Sequence, residues 1–333
     1  MTPSYLSLSE REWQKKIEKL FKILESCEIC PRKCKVNPVR RVGRNLKPLP
    51  NHSFIKSSPS LLWRVPSNGV NRLKGEEGFC KLKYLPKISA FHSHFGEEKV
   101  LVGKYGSGTI FLTSCNLACV YCQNYEISQL RIGEEVSFEK LADIILELQK
   151  MGCHNINFVT PTPQVPQIVR SVYLAVKKGL KIPLVYNTSS YDLPETLKIL
   201  DKIFDIYMPD VKYSDDKIAL KFSQCQNYFE IMKRAVKEMH SQVGDLILDK
   251  EGIAKRGLLV RHLVLPNNLA GSEKIFQFLA KEISKNTFLN IMDQYYPTFR
   301  AFEYPEISRR ITEDEFKRAI SLAKKFGLKR IYY

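Results

Sequence analysis

The chain has 333 residues, 44% of them hydrophobic and 26% charged, which fits a folded globular protein and excludes a disordered or fibrous one. No apolar run reaches the ~18 residues needed to span a bilayer, and the first ten residues lack the basic and apolar regions of a signal peptide. Nine cysteines at close spacings favour metal ligation in a reducing compartment over disulfides. We therefore predict a cytoplasmic protein without membrane segments.

The formal net charge of +17 is high enough to raise the question of nucleic-acid binding. Much of the excess falls on amphipathic helical patterns at 11–22 and 317–329, where lysine side chains form a solvated face. We therefore do not expect nucleic acid to be the partner.

The chain begins with a predicted amphipathic helix at residues 8–26, in which Trp13, Ile17 and Leu20 share one face. Ser9 is its predicted N-cap. Four cysteines follow, at positions Cys27, Cys30, Cys34 and Cys80. Because four thiolates can hold either zinc or an auxiliary iron–sulfur cluster, the spacing leaves both open for a second metal site.

Residues 38–71 differ in character from the segments on either side. They contain no acidic residue and are rich in Pro, Ser, Asn and Arg, which predicts an inserted or disordered loop. The pair Val36-Asn37 recurs as Val70-Asn71, so translated intron sequence is an alternative interpretation. The functional interpretation of this segment is a basic docking loop.

Three further cysteines, Cys115, Cys119 and Cys122, form a C-x-x-x-C-x-x-C run with Tyr121 just before the last. Three neighbouring thiolates can each bind one iron of a [4Fe–4S] cluster, and the missing fourth ligand would leave one iron open for chemistry. A zinc knuckle and buried free thiols are the plainer alternatives. The run follows a strand-like segment at 108–113, and loops after strands hold the active sites of α/β barrels.

Strand-like and helix-like segments alternate through the rest of the chain, as in a parallel α/β sheet. The predicted strands are 108–113, 155–160, 182–186, 203–208, 257–265, 288–292 and 329–333. The predicted helices are 137–150, 164–178, 194–200, 215–239, 272–284 and 313–326. Six strands with helical partners predict an α/β fold built as a partial (β/α)6 barrel of the TIM type, open on one side. We divide the chain into a helical and cysteine-rich region at 1–98 and a barrel at 99–333.

Polar residues lie at or just past the ends of successive predicted strands, where such barrels keep their active sites. They are Thr160, Thr162, Asn187, Thr188, Asp210, Lys212, Arg261, His262 and Gln294. Any one of them could simply cap a helix, but five sets at five successive strands favour a binding site. Asp210 and Lys212 are two residues apart in an extended segment, so both side chains can point inward.

The order of these motifs resembles that of radical S-adenosylmethionine (SAM) enzymes. It is similar in particular to the activating enzymes of glycyl radical enzymes, of the pyruvate formate-lyase activating enzyme type, in the branch with an additional cysteine-rich N terminus. The matching segments are 27–34, 75–80, 94–98, 106–109, 115–124, 155–162, 186–188, 205–213, 261–266 and 294–297. The resemblance implies a partial barrel of the radical SAM type and covers almost everything from Cys27 onward except the insert.

The resemblance also implies roles for individual residues. Cys115, Cys119 and Cys122 would ligate a [4Fe–4S] cluster whose open iron binds SAM. Asp210 and Lys212 match an Asp-x-Lys element beside SAM and are the expected catalytic residues. The expected SAM-binding residues are Thr160, Thr162, Asn187, Thr188, Asp210, Lys212 and, near the adenine, His262.

The sequence departs from that family in two places. The segment 160–162 replaces a Gly-Gly-Glu segment that binds the SAM amino group, so recognition of this group must differ here. Asn187 replaces the Asp of an Asp-Thr pair, and the lost carboxylate argues against a monovalent cation at this position.

The leading hypothesis is a radical SAM enzyme. A one-electron donor such as flavodoxin or ferredoxin would reduce the cluster, and a 5′-deoxyadenosyl radical from SAM would abstract a hydrogen atom. The resemblance implies a protein or peptide substrate, with a glycine of a glycyl radical enzyme as one candidate. The alternative is a zinc-binding, basic nucleic-acid-binding protein without catalysis.

Overall fold

The computed structural model describes residues 1–38 and 77–333. The insert predicted at 38–71 lies, apart from Pro38, outside these residues. Within them, no helix combines the length and the apolar character needed to cross a membrane.

Ten strands are found in the described parts of the chain. They are β1 (Lys87–His94), β2 (Ser107–Leu112), β3 (Glu134–Glu135), β4 (Ile156–Val159), β5 (Leu184–Thr188), β6 (Ile206–Pro209), β7 (Ile247–Leu248), β8 (Ala254–Leu263), β9 (Phe288–Met292) and β10 (Arg330–Tyr332). Seven strands run parallel in the order β10-β9-β8-β6-β5-β4-β2. β1 lies antiparallel beside β2, β3 beside β1, and β7 beside β8. No pairing joins β10 to β3 within 77–333, so the sheet is an open barrel and the predicted α/β partial barrel is confirmed.

Helices follow most of the parallel strands and cover the outer face of the sheet. They are α1 (Glu10–Leu24), α2 (Lys99–Val102), α3 (Tyr125–Ser128), α4 (Phe138–Lys150), α5 (Val165–Lys177), α6 (Pro194–Ile199), α7 (Asp216–Ser223), α8 (Tyr228–Val243), α9 (Ser272–Phe278) and α10 (Glu313–Lys325). A π-helical stretch, Leu279–Ile283, extends α9.

The single helix predicted at 215–239 is wrong, since α7 and α8 are separate helices. Gln224 and Asn227 have left-handed backbone conformations, with φ of 51° and 52°, which end one helix and precede the next. The buried residues Phe222 and Cys225 keep a helix-like spacing of three across the end of α7. Apolar periodicity alone therefore does not reveal the break.

The N-terminal helix packs on the outside of the barrel and shares its hydrophobic core. α1 begins at a capping box between Ser9 and Glu12, which confirms Ser9 as the N-cap. Trp13 packs against Tyr173 of α5 with ring centroids 5.8 Å apart. The predicted division at residue 98 separates β1 from β2, and these two strands pair in one sheet.

Apolar side chains fill the lower part of the barrel interior. The cluster consists of Leu101, Val185, Ile206, Met208, Leu246, Ala254 and Leu259. The short helix α2 contributes Leu101 to this cluster and holds Lys99 Nζ 6.0 Å from the centre of the Tyr332 ring on β10. α2 therefore connects this apolar cluster to the β10 edge of the sheet. The polar residues of the interior lie above this apolar layer, toward the C-terminal strand ends.

Candidate functional site

The loop at 113–124, which contains the C-x-x-x-C-x-x-C run, connects β2 to α3 at the C-terminal side of the sheet. Its backbone is held by the end of α7. The Ala118 N–H donates to the Ser223 carbonyl at 3.0 Å, and the Val120 N–H donates to the Phe222 carbonyl at 2.8 Å. The break between α7 and α8 therefore helps to position the cysteine loop.

Each thiol of this loop has a polar neighbour. The three pairs are Cys115 Sγ with Leu117 N (3.3 Å), Cys119 Sγ with Ser223 Oγ (2.9 Å) and Cys122 Sγ with Ser128 Oγ (3.2 Å). Burial raises the pKa of Cys115 to about 12 and that of Cys119 to about 11, although nearby Lys212 opposes the rise. Thiolates at this position therefore need a strongly positive group beside them, as iron supplies.

The donor set fits a [4Fe–4S] cluster, since three thiolates and no fourth protein ligand follow one another in a single loop. Among residues 1–38 and 77–333, no three His, Cys, Asp or Glu side chains converge so as to hold one metal ion. A cubane cluster does not require such convergence, because each thiolate binds a different iron.

A chain of charged side chains starts beside this loop. Lys212 Nζ lies 2.8 Å from Asp210 Oδ2, and Asp210 Oδ1 accepts a hydrogen bond from Arg261 Nε at 2.7 Å. Arg261 Nη2 then donates to Asn187 Oδ1 at 2.8 Å. The structure thus brings together three predicted site residues, Asp210, Lys212 and Asn187, from the ends of β5 and β6.

Asp210 and Lys212 stabilise each other as ions. Burial alone would raise the pKa of Asp210, but Arg261 and Lys212 outweigh it and the pKa is lowered. Burial likewise opposes the charge of Lys212, and Asp210 outweighs it so that the pKa of Lys212 is raised. Both residues are therefore charged at the strand ends, Asp210 negative and Lys212 positive.

Two buried carboxylates, Glu97 and Glu98, extend this chain into the barrel and were missed by sequence reasoning. Arg261 Nη1 lies 3.3 Å from Glu97 and 3.7 Å from Glu98. Burial raises the pKa of Glu97 to about 7, although Arg261 opposes the rise. The pair lies in the family-matching segment 94–98, but in the sequence it looks like an ordinary helix start, so its role is revealed by the contact with Arg261.

Two asparagines complete the polar interior. Asn157 Nδ2 donates to Glu97 at 3.1 Å and Asn290 Nδ2 donates to Glu98 at 3.0 Å. Glu98 Oε2 and Asn157 Oδ1 are buried without any hydrogen-bond partner. Unpaired buried polar atoms are costly, and they mark this interior as a place where a polar ligand or water fits. In the sequence, a single asparagine within each of two otherwise apolar strands is the signal that could have indicated this polar interior.

The hydroxyls of Thr162 and Thr188 point to a buried carboxylate rather than into the open site. Asp192 accepts hydrogen bonds from Thr162 at 2.8 Å, from Thr188 at 2.6 Å and from the Tyr186 hydroxyl at 2.9 Å. These two hydroxyls therefore tie the ends of neighbouring strands to one carboxylate, and their contact with SAM stays a prediction. Thr160 has a left-handed backbone (φ 60°), an uncommon conformation that shapes the turn after β4.

His262 lies at the end of β8 but does not join the charged chain. It is fully buried between β8 and α9, with Nδ1 2.7 Å from the Val211 carbonyl and Nε2 2.9 Å from Ser272 Oγ. Since the carbonyl only accepts, Nδ1 carries the proton and Nε2 accepts from the Ser272 hydroxyl. Residues alternate across a strand, so His262 faces outward where its neighbour Arg261 faces inward.

The four N-terminal cysteines lie together behind the cysteine loop. Cys27, Cys30, Cys34 and Cys80 line one small cavity, whose wall also includes Asn116 of the loop. The structure thus brings these predicted ligands together, apart from the strand-end residues.

These observations define a class of protein, an open α/β barrel with three cysteines after its first parallel strand and a charged constellation at its strand ends. The family model described as the radical SAM superfamily matches residues 109–248, from β2 through Asp210 to β7. The chain belongs to the radical SAM superfamily. The non-catalytic zinc-protein alternative is therefore set aside.

Several known proteins are similar to this chain. An uncharacterized protein of Methanocaldococcus jannaschii is 36% identical over 272 residues, which covers 79% of this chain and 74% of that protein. Among solved structures, HydG, a maturase of the [FeFe]-hydrogenase, aligns with a TM-score of 0.47 at 12% identity over 70% of this chain, which spans about half (52%) of HydG. Methylornithine synthase aligns with a TM-score of 0.46 at 15% identity, over 70% of this chain and 67% of its own. A domain of pyruvate-formate lyase-activating enzyme from Bacteroides vulgatus aligns with a TM-score of 0.32 at 14% identity, over 59% of this chain and 91% of its own.

Membership in this superfamily makes the protein an enzyme that uses a [4Fe–4S] cluster and SAM in radical chemistry. Such an enzyme requires a reductant.

Proposed function

We propose that this enzyme holds its [4Fe–4S] cluster on Cys115, Cys119 and Cys122 and abstracts a hydrogen atom from a protein or peptide substrate. When bound and reduced, the cluster would supply the one electron that breaks the C5′–S bond of SAM, which gives methionine and a 5′-deoxyadenosyl radical. The observation that supports this most is the charged chain from Lys212 to Glu97, which begins beside Cys119 and crosses the strand ends.

The charged chain can hold the two charges of the SAM amino-acid group. Lys212 is a cation beside the cysteine loop and can pair with the carboxylate of SAM. Asp210 can accept hydrogen bonds from the amino group of SAM. Arg261 holds the Asp210 carboxylate in place for this contact. Because both side chains are ordered by ion pairs before SAM arrives, binding needs little rearrangement.

The turn after β4 and the end of β5 complete the proposed SAM site. Thr160 offers its backbone and hydroxyl where the family pattern has Gly-Gly-Glu. Thr162 and Thr188 anchor the adjoining strand ends through Asp192. Asn187 presents its amide beside Arg261. These residues orient the cofactor and exclude water from it.

Exposed apolar side chains beside the cysteine loop support a macromolecular substrate. Tyr125 and Phe299 stack with ring centroids 4.7 Å apart and so join the segments 125–132 and 296–302. These segments expose Leu130, Ile132, Tyr296 and Phe302. Apolar rims of this kind are typical of protein-binding surfaces. A glycine within a glycyl radical enzyme is the candidate target, with flavodoxin or ferredoxin as the electron donor.

The proposed function is tested by anaerobic reconstitution with iron and sulfide, followed by dithionite, SAM and detection of 5′-deoxyadenosine. Wild type should form it. Cys119→Ala should lose about four irons per chain and the product while keeping its circular dichroism. Cys153→Ala changes a buried cysteine outside the loop and should retain both.

Two results would contradict the proposal. One is a folded Cys119→Ala variant that still cleaves SAM at the wild-type rate. The other is reconstituted wild type that carries zinc in the cysteine loop and forms no 5′-deoxyadenosine.

A further inference from the structure

The four N-terminal cysteines are gathered by a local backbone turn and by one distant segment. The Cys27 N–H donates to the Val36 carbonyl at 2.8 Å, and the Lys35 N–H donates to the Cys27 carbonyl at 3.0 Å, which closes the segment 27–36 on itself. Cys80 reaches the same cavity from the segment that begins at residue 77. Four sulfurs so placed line a common space.

One of these sulfurs accepts a hydrogen bond from the backbone. The Phe79 N–H donates to Cys34 Sγ at 3.4 Å, across the two segments that meet at the cavity. N–H donors stabilise a thiolate far more than a thiol. The same contact, from Leu117 to Cys115, is present in the cysteine loop. The backbone at Phe79 is therefore arranged for a negative sulfur at Cys34.

A guanidinium group forms part of the cavity wall. Arg32 Nε donates to the Asn116 carbonyl at 2.9 Å, and the guanidinium carbon lies 3.8 Å from the centre of the Phe79 ring. Its Nη2 atom is buried without any hydrogen-bond partner. A buried cationic N–H group without an acceptor costs free energy of folding. An anionic group in the adjoining cavity would accept its hydrogen bond.

We propose that Cys27, Cys30, Cys34 and Cys80 hold a second metal centre of four thiolates, distinct from the cluster of the cysteine loop. A tetrathiolate centre bears net negative charge, which the Arg32 guanidinium and the Phe79 N–H oppose. In the described structure no three of these sulfurs converge on one ion. Binding therefore either draws them together around zinc or distributes them over the irons of a cluster.

The second centre supports the cysteine loop of the first. Arg32 holds the Asn116 carbonyl, and the Ser114 hydroxyl donates to the Cys80 carbonyl at 2.8 Å. Both loop residues flank Cys115 directly. Ordering the cavity therefore orders the backbone on either side of a proposed cluster ligand. This part of the inference rests on the proposed function, whereas the metal centre itself does not.

The experiment uses the full chain with Cys115, Cys119 and Cys122 all changed to Ala, reconstituted anaerobically and analysed for iron, sulfide and zinc. We expect a folded protein that retains about one zinc or about four irons with sulfide, and either result supports the centre. Adding Cys30→Ala and Cys34→Ala should remove this metal. Adding Cys153→Ala instead should leave it in place.

A folded triple variant that binds neither metal would overturn the proposal, as would metal that persists without Cys30 and Cys34. Should the five-fold variant fail to fold, thiols of the triple variant are titrated before and after metal removal by a chelator. The proposal requires about four thiols to become reactive on removal, and no change refutes it. Failure of the proposed function would appear separately, as absent 5′-deoxyadenosine in wild type with the second centre intact.

Discussion

Asp210 Oδ1 and Arg261 Nε lie 2.7 Å apart, and the same two residues are also joined through their backbones, as a parallel bridge between the ends of β6 and β8. The Val211 N–H, one residue further, donates to the Arg261 carbonyl at 2.8 Å. Asp210 thus has a fixed backbone and a fixed side chain. It serves as the shared anion of Arg261 on one side and Lys212 on the other.

Asp210→Asn should abolish most SAM cleavage and destabilise the fold. The change leaves two buried cations without their anion, and breaking a buried pair on one side costs about 3–5 kcal/mol. We expect SAM cleavage to fall by at least ~100-fold, with cluster absorbance unchanged. Urea unfolding and 5′-deoxyadenosine formation measure the two effects.

Asp143→Asn provides the matched control. Asp143 lies 2.8 Å from Lys178, a separation equal to that of Lys212 from Asp210, but both partners are half-exposed. Water screens such a pair, so neither stability nor activity should change. Equal effects of the two substitutions would refute the special role of Asp210.

Wild type should lose stability relative to Glu97→Gln as the pH rises from about 4.5 to about 7. The ordinary pKa of Glu97 is 4.5, and burial raises it to about 7 against the pull of Arg261, with Glu98 and Asp210 adding to the rise. In this window the unfolded chain has released the proton that the folded chain retains. Each unit of difference between the folded-state and the ordinary pKa corresponds to about 1.4 kcal/mol of unfolding free energy. Below the window both states are protonated and above it both are ionised, so the slope vanishes.

Denaturant unfolding of both proteins at several pH values measures this slope, and the difference between them removes the contributions of other groups. Asp205, for example, also has a pKa raised by burial, to about 6, and contributes equally to both proteins. Parallel curves for wild type and Glu97→Gln would contradict the prediction.

Features set by local sequence were predictable, and features set by distant contacts were not. The start of α1 follows from Ser9 and Glu12, three residues apart. The placement of Asp210 and Lys212 follows from strand alternation. By contrast, Glu97 contacts Arg261 across 164 positions of the chain, and no local sequence pattern at either residue predicts that they meet.

The direction in which a side chain points was the second feature that the sequence did not predict. Thr188 and His262 were correctly placed at strand ends, yet their polar atoms bind Asp192 and Ser272. A strand that is buried on both faces has no clean apolar–polar alternation. Its sequence therefore does not say which polar residue faces the interior of the barrel and which faces the helices.

Thr188→Val should reduce stability more than SAM binding. The substitution keeps the shape and removes one of three donors to the buried Asp192 carboxylate, a loss of about 1–3 kcal/mol. Thr287→Val is the control, because the Thr287 hydroxyl is buried without a hydrogen-bond partner and its removal should be neutral or stabilising. Urea unfolding and equilibrium SAM binding separate the two roles. Unchanged stability with lost SAM binding would restore Thr188 as a direct ligand.

His262→Ala should destabilise the protein and leave the KM for SAM within about twofold of wild type. Burial lowers the pKa of His262 to about 4, so the imidazole is neutral and acts through its two hydrogen bonds. Truncation leaves the Val211 carbonyl and the Ser272 hydroxyl unpaired and opens a cavity beside Phe276, at a cost of about 2–5 kcal/mol.

Ser272→Ala, alone and combined with His262→Ala, isolates the bond between the two side chains. Because each single change already breaks that bond, the double variant should lose less stability than the sum of the single losses. A contact with adenine predicts the opposite pattern, in which His262→Ala raises the KM for SAM severalfold at nearly constant stability. If the losses of stability were additive and the KM for SAM rose severalfold, His262 would be a SAM-binding residue.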